Sequence, residues 1–470
     1  TDKRRQRLTA RLPKPIKPII GFIGVTCLAI IGTAPVIMYY FNQLPLFGVL
    51  SNLIIVPLVG FISVPVGLFS IMALQPFSAE AAVLGLRLSA WLLDVSIGII
   101  DLIARCPFSA IKTFTPSLLE MICYYLVLWC VFNIREPARI DLQSGAMTPG
   151  KLHGQTGSTW RQKGLSGHNP FVAVLIVTIM LTTADAAYWV YKRFYDDSLR
   201  VTILDVGQGS AALLELPRGS CVLIDGGGFS DNTVFDMGRW VLAPYLWRNK
   251  IRTVDTVILS HPDADHVTGL VYILNHFKVS RFISTHEPAD HVEYAKFIDL
   301  IRENHILHPD FHDLFRSFSI SGVMFDILYP PKNFMDPHAG RPWQSPNNNP
   351  LVIRITHGNH AILFPGDIMA DAEKELIAMH PLGLESDVLI APHHGSRTSS
   401  TPAFLDAVNP RAVIISSGRP ATFPAAEVLK QFEDRAFQIL RTDTHGAVGI
   451  TSDGRRLACR SLLKEPLMLR

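Results

Sequence analysis

The stretch ILSHPDADHVTGL, from Ile258 to Leu270, puts four ionisable side chains within six positions: His261, Asp263, Asp265 and His266. The apolar run Thr256-Val257-Ile258-Leu259 leads into them, which places the group just past the end of a buried strand. Imidazole nitrogens and carboxylate oxygens are the usual protein ligands of divalent cations. Two such cations, about 3.5–4 Å apart, polarise a phosphoryl group and make hydroxide available near neutral pH. A plainer reading is a charged turn with helix-capping Asp residues. It explains Asp265 ahead of a helix over 267–277, but not the pair of His.

Such a loop needs a scaffold. From Val201 onward, short apolar runs fall at 201–206, 211–216, 221–225, 255–259, 351–356, 361–364, 387–391, 411–415, 437–441 and 447–451. Amphipathic stretches at 267–277, 291–303, 370–379, 402–408 and 424–434 read as helices. Strands mixed with helices over this length predict an α/β sandwich with one core. Four more motifs interrupt the pattern at expected strand ends: LDVGQGSA (Leu204–Ala211), LIDGGG (Leu223–Gly228), FPGDI (Phe364–Ile368) and APHHGS (Ala391–Ser396).

The first half has a different texture. The 470-residue chain predicts at least two domains, and its mean hydropathy of +0.25 comes largely from its N-terminal part. From Pro18 through Ala79 no residue is charged, which leaves room for two or more membrane passes. Pro35, Pro57 and Pro65 interrupt this run, so Asn52–Ala73 reads as discontinuous or re-entrant helix. In Ala81–Ala104, Arg87, Asp94 and Asp101 are seven apart and share a helix face. That face suits either an interfacial helix or a water-filled passage. The runs Met121–Ile134 and Phe171–Ala184 follow, the first short for a span. Seven basic residues in 1–17 and five in the loop 135–169 put both segments in the cytoplasm, and everything after Tyr191 outside. Lys192 and Arg193 argue weakly against that orientation. The net charge of +3 says nothing about nucleic acid, and the six Cys show no zinc-ribbon spacing. The chain starts at Thr within a basic stretch and is expected to be a piece of a longer protein.

The ordered set LDVGQG, LIDGG, SHPDADH, NNNPLV, FPGDI and PHHGSRTSSTP, after FNQLPLFGVLSNLIIVPLVGF, resembles the ComEC family of natural-competence DNA-uptake proteins. The resemblance implies a membrane α-helical bundle followed by an αββα-sandwich of the metallo-β-lactamase type. It implies part of the transmembrane competence domain over 1–134, a cytoplasmic loop over 135–169, a transmembrane helix over 170–191 and the lactamase-like domain over 199–470. By resemblance, His261 and Asp263 would hold one cation and Asp265 and His266 the other. Asp367 would bridge them, with Asp265 and Asp367 central to catalysis. His393, or failing it His394, would complete the set. The Asp at 263 adds negative charge and a hard oxygen where many relatives of the fold carry His, which favours manganese, with zinc or magnesium as alternatives. The resemblance further implies an inner-membrane channel for one DNA strand and an external domain degrading the other. Lipid, a periplasmic DNA receptor and a cytoplasmic helicase or single-strand-binding protein would be partners.

Lesser candidates are Asp205 and Asp225 at strand ends, which orient ligands or cap turns; Asn349, in a Pro/Asn-rich loop; and Ser396, which contacts a phosphate or simply turns. Two departures from the family stand out: Ser210 replaces the Asp of GQGDA, and Phe423-Pro424 stands where a His-Pro pair is common. They leave two other functions open: a DNA translocator whose lactamase-like domain only binds DNA, or a membrane-tethered hydrolase of another phosphoester.

Overall fold

The computed structural model describes residues 16–133, 170–230, 235–314, 316–334, 349–418, 423–461 and 466–468. The expected cytoplasmic loop over 135–169 and nearly all of the basic stretch 1–17 lie outside the described residues. The chain forms two compact units, Thr1–Ala187 and Tyr188–Arg470. The division falls inside a single helix, Pro170–Phe194.

Among the described residues, four segments are long and apolar enough to cross a membrane: Ile20–Phe41, Gly48–Leu74, Ala79–Ala104 and Pro170–Phe194. Leu118–Asn133, at 16 residues, is shorter than a span. The segment expected to be discontinuous stays helical from Gly48 to Leu74 but is wound as π-helix over Val56–Ser63 and Ser70–Leu74. Pro57 lies within the first π segment and Pro65 in the α-helical turn that follows it, and each lacks the N–H an α-helix would use. This helix packs on Ala79–Ala104 through small residues. The Ser63 hydroxyl donates to the Ser89 carbonyl (3.0 Å) and the Ser89 hydroxyl to the Ser63 carbonyl (2.9 Å). Ala82, Ser89 and Ser96, seven apart, are the buried face. Small side chains let two backbones approach where lipid gives no hydrophobic drive. Arg87, Asp94 and Asp101 are exposed, outside this seam. A capping box closes the start of Leu118–Asn133, with Ser117 N–H on Glu120 (2.5 Å) and Glu120 N–H on Ser117 (3.1 Å). A two-strand ribbon, β1 (Gln43–Pro45) and β2 (Ala110–Lys112), completes the unit.

The second unit is a sandwich. Its first sheet comprises β3 (Leu199–Ile203), β4 (Ala212–Glu215), β5 (Cys221–Ile224), β6 (Thr253–Ile258), β7 (Lys278–Ile283), β15 (Val448–Ser452), β16 (Leu457–Ser461) and β17 (Pro466–Met468). Its second comprises β8 (Ser317–Ile320), β9 (Val323–Tyr329), β10 (Val352–His357), β11 (His360–Phe364), β12 (Val388–Ile390), β13 (Ala412–Ile415) and β14 (Gln438–Arg441). The orders are β17-β16-β15-β3-β4-β5-β6-β7 and β14-β13-β12-β11-β10-β9-β8. Alternate residues face inward. Val222, Ile224 and Ile258 of one sheet share a core with Phe325, Ile355, Val388 and Ile414 of the other. Leu389, Val413 and Ile415 face outward, against the helices Ala370–Met379, Pro402–Val408 and Ala426–Asp434. Strands buried on both faces, such as β12 and β13, read as unbroken apolar runs, and each run noted above becomes a strand. The expected α/β sandwich is the observed architecture, helices outside two facing sheets.

Candidate metal centre

The strands β5, β6, β11, β12 and β13 send their C-terminal ends to one edge of the sandwich. Asp225 follows β5, His261 follows β6, Asp367 follows β11, and His394 and Ser416 follow β12 and β13. Ligand sites form at such carboxyl ends because the following loops share one rim. The helix after β6 runs from Ala264 to His276, so Asp265 lies within its first turn rather than ahead of it. Asp263 occupies the N-cap position, yet its side chain makes no capping hydrogen bond. It points instead at His261, with Oδ2 3.6 Å from Nε2. Capping therefore does not account for Asp263. The glycine-rich turn after β3 closes over this loop. Ser210 N–H donates to the Asp265 carbonyl (3.2 Å). Gly209, at φ +113°, passes so close that a β-carbon would lie 2.2 Å from that same oxygen.

Three imidazoles share one arrangement. His266 Nδ1 lies 2.8 Å from Asp225 Oδ2. The Ser260 hydroxyl donates to that carboxylate oxygen (2.8 Å), so it is left to accept from His261 Nδ1 (3.0 Å). His394 Nδ1 donates to the Ser416 carbonyl (3.1 Å). Each ring is thus held through Nδ1, and its Nε2 lone pair faces inward. All three Nε2 atoms are buried and have no hydrogen-bond partner. They converge on Asp367: His266 Nε2 is 3.4 Å from its Oδ1, and His394 and His261 are 3.4 and 4.0 Å from its Oδ2. Asp265 Oδ2 is 3.6 Å from His394 Nε2. Two ligand sets result, His261 with His266 and Asp367, and Asp265 with His266 and His394. Within each set the donor atoms lie within 4.8 Å of one another. Buried, orphaned nitrogens beside carboxylates are a donor set fitted to divalent cations.

The electrostatics agree. Burial would push the Asp367 carboxyl up, but the His394 and His266 rings outweigh it and hold it well below the usual range. Asp265 is likewise lowered, burial again being outweighed, here chiefly by His394. The His261 ring lowers Asp263 against burial. Burial opposes charge on His394, yet Asp367 and Asp265 raise it to about 9, and Asp367 with Asp225 raises His266 well above its ordinary value. A proton or a metal cation at Nε2 answers the same negative field.

The choice between the two adjacent histidines comes out opposite to the sequence expectation: His394, not His393, joins the cluster. The backbone is the reason. His393, His394 and Gly395 have φ of +48°, +55° and +80°. This left-handed run turns His394 inward and leaves His393 half-buried at the rim, its Nδ1 3.2 Å from Thr398 Oγ1. Asp225 lies one bond behind the cluster, binding His266 and both the N–H and hydroxyl of Ser260. Asp205 is exposed at its turn, with Gly207 N–H on Oδ1 (3.4 Å). The Ser396 hydroxyl is spent inside its own turn on Thr398 (2.9 Å). Asn349 reaches the carboxylate of Glu287, a residue that sequence reasoning missed. Glu287 follows β7, the parallel neighbour of β6, so its loop had to emerge at the same rim. Its Oε2 is buried without a partner, and burial, offset by Asn349 and His261, raises its pKa. His291 braces that loop by donating from Nε2 to the Pro262 carbonyl (2.6 Å), since its Nδ1 accepts from Tyr294 N–H.

The sandwich with this cluster at its rim is a metallo-β-lactamase-like domain: residues 204–419 match the model of the metallo-beta-lactamase superfamily. Residues 3–137 match that of competence proteins. The chain is 24% identical to ComE operon protein 3 of Bacillus subtilis over 94% of its own length and 53% of the relative's. It is 27% identical to Recombination protein 2 of Haemophilus influenzae (88% and 48% covered) and 25% identical to Competence protein ComA of Neisseria gonorrhoeae (87% and 48%). The chain is a ComEC-type competence-protein homologue carrying a metallo-β-lactamase-like domain. It spans about half the length of the curated relatives it matches. Among solved structures it aligns with the metallo-β-lactamase fold protein YhfI of Bacillus subtilis at 14% identity and a TM-score of 0.34, over 53% of this chain and 99% of that one. It aligns with CmlA, a diiron β-hydroxylase of Streptomyces venezuelae, at 13% and 0.36, over 58% and 54%.

Proposed function

We propose that the chain is the channel-and-nuclease portion of a DNA-uptake protein in the bacterial inner membrane. Its helices pass one strand, and its external sandwich hydrolyses phosphodiester bonds in the other. The observation that carries the hydrolytic part is the trio of anchored imidazoles with orphaned Nε2 atoms around Asp367. His261 with Asp263, and Asp265 with His266 and His394, would hold two divalent cations, with Asp367 between them. Manganese is favoured because four carboxylates (Asp263, Asp265, Asp367 and Asp225 behind them) make the surroundings hard and negative. Bound there, such ions polarise the phosphoryl group and ready a water for attack. Asp225 and Ser260 keep His266 and His261 in the tautomer that presents Nε2. Ser416 does the same for His394, and Glu287 with Asn349 adds a polar wall beside His261 and Asp263. DNA as substrate rests on the competence and recombination names of the relatives and on the apolar helices.

A second reading has its own observation. Phe423 cannot transfer a proton where the resembled family has His, so the sandwich binds and guides DNA without cutting it. The test is the full chain in detergent, assayed for metal content and for hydrolysis of single-stranded DNA with manganese. Two ions per chain with cleavage, abolished by Asp265→Ala, supports the nuclease. Bound ions without cleavage of any strand favour the guide. No bound metal sinks both the ligand set and the nuclease.

A further inference from the structure

The turn that sends His394 inward leaves His393 at the rim, and the chain places a second ring against it. The Phe423 ring centroid is 5.8 Å from that of His393, inclined at 45°. The His393 ring is in turn 6.4 Å from that of His394. Phe423 and His393 are only half-buried, whereas His394 is buried. Packing does not explain Phe423, because its neighbours Ala425 and Val428 join the outer apolar core and it does not.

The pair is held firmly. Ala425 N–H donates to the Gly395 carbonyl (2.9 Å). A β-carbon on Gly395 would meet the Pro424 Cβ at 2.7 Å, so the segment carrying Phe423 is sealed onto the His turn. The contact from Thr398 Oγ1 to His393 Nδ1 (3.2 Å), itself tied to Ser396 (2.9 Å), fixes the plane of the imidazole. Arg397, in the same turn, is exposed.

We propose that Phe423 and His393 form a stacking platform for a nucleobase of single-stranded nucleic acid, beside the phosphodiester held at the metal centre. This rests on the reading of the sandwich as a nucleic-acid-binding domain. A phenyl ring in this place can neither carry a proton nor donate a lone pair to a metal ion. It offers a flat apolar face, and every base has a matching π-face, so stacking tolerates any sequence. A nucleotide keeps its base one sugar away from its phosphate, and the platform lies one residue away from the inward-facing His394. Arg397 supplies positive charge for the neighbouring phosphate.

The experiment measures binding of a short fluorescein-labelled oligothymidylate and of its abasic counterpart by anisotropy. It uses the full chain in detergent with manganese, at times short relative to any hydrolysis. The platform predicts that the wild type prefers the intact strand roughly ten- to hundredfold, the range expected for one stacked base. Phe423→Leu loses that preference while holding the abasic strand as well as before, and Phe423→Trp keeps it. Equal binding of the two strands by the wild type overturns the platform alone. So does a Phe423→Leu protein that keeps the preference or weakens on both strands alike. A wild type that binds neither strand overturns the DNA reading and the platform with it.

Discussion

The helical unit and the sandwich both bury polar side chains, and they treat them in opposite ways. Along the helix seam four serine hydroxyls are satisfied. Ser63 and Ser89 bond each other's carbonyls, and Ser70 and Ser96 bond the carbonyls four residues back. The Ser63–Ser89 pair holds two helices together, and the hydroxyls of Ser70 and Ser96 are used within their own helices, which leaves none of the four over for a ligand. In the sandwich, His261, His266 and His394 are satisfied on one side of each ring only, and their free nitrogens converge. An unpaired polar atom in an apolar interior is costly, so three of them aimed at one carboxylate mark a place built for something else. Polar burial therefore serves adhesion in one unit and reception in the other.

Asp367→Ala tests the receptive side with the largest expected effect. It removes the carboxylate that all three imidazoles face, so hydrolysis should disappear and bound metal should fall from two ions per chain to one or none, read by elemental analysis. Next comes the adhesive side. In Gly85→Leu even the β-carbon would lie 2.0 Å from Ser70 Oγ, whereas nothing lies within 4 Å of the equivalent point on Gly98. Gly85→Leu should abolish recovery of monodisperse protein in detergent, and Gly98→Leu should leave it unchanged. Equal behaviour of the two would break the seam argument. Asp225→Asn keeps the shape but weakens the acceptor behind His266. Metal affinity should drop by about 10- to 100-fold, as for other groups that orient metal-bound histidines, with the helices untouched. Ser89→Ala should cost only about 0.6 kcal/mol, the average for hydrogen bonds between membrane helices, measured as a small shift in the helical unit's denaturation midpoint.

Much of this was legible in the chain because its physics is local. Val388-Leu389-Ile390 and Ala412 to Ile415 are apolar on every position, so their burial on both faces is written in the residue types. The ligand loop was legible because four ligands fall within six positions. What escaped depends on torsion angles or distant neighbours. Nothing in PHHG says which histidine turns inward, since that is set by three successive positive φ values. Glu287 belongs to a loop whose proximity follows only from the parallel pairing of β6 and β7. β7 itself, KVSRFI, was missed because its polar residues break the apolar run, as were β8 and β9, a hairpin at the sheet edge with exposed alternate positions. The sequence placed an irregular helix over Asn52–Ala73, within the observed Gly48–Leu74, but its π-winding was not legible, because proline marks where an α-helix fails and not what replaces it.

The smallest expected effect sharpens the comparison within the sandwich itself. His308 is also a partly buried imidazole, yet its Nε2 meets the Ser284 hydroxyl (2.9 Å) and its ring stacks flat on His286 at 3.8 Å. Burial, helped by the His286 ring, lowers its pKa to about 4, opposite in direction to His394. The unfolded chain carries His at about 6.5. Below that pH the unfolded state takes up a proton that the folded state refuses. The contribution of His308 is therefore complete above about pH 6.5 and is lost as the pH falls towards 4. His308→Asn removes the titrating group, so the stability of the sandwich, followed by tryptophan emission during thermal unfolding, should fall less steeply in the variant between those two pH values. Solvent reaching the ring keeps the difference small. A variant with an unchanged slope would mean that His308 charges freely in the folded state, and that a hydroxyl partner does not separate a structural histidine from a receptive one.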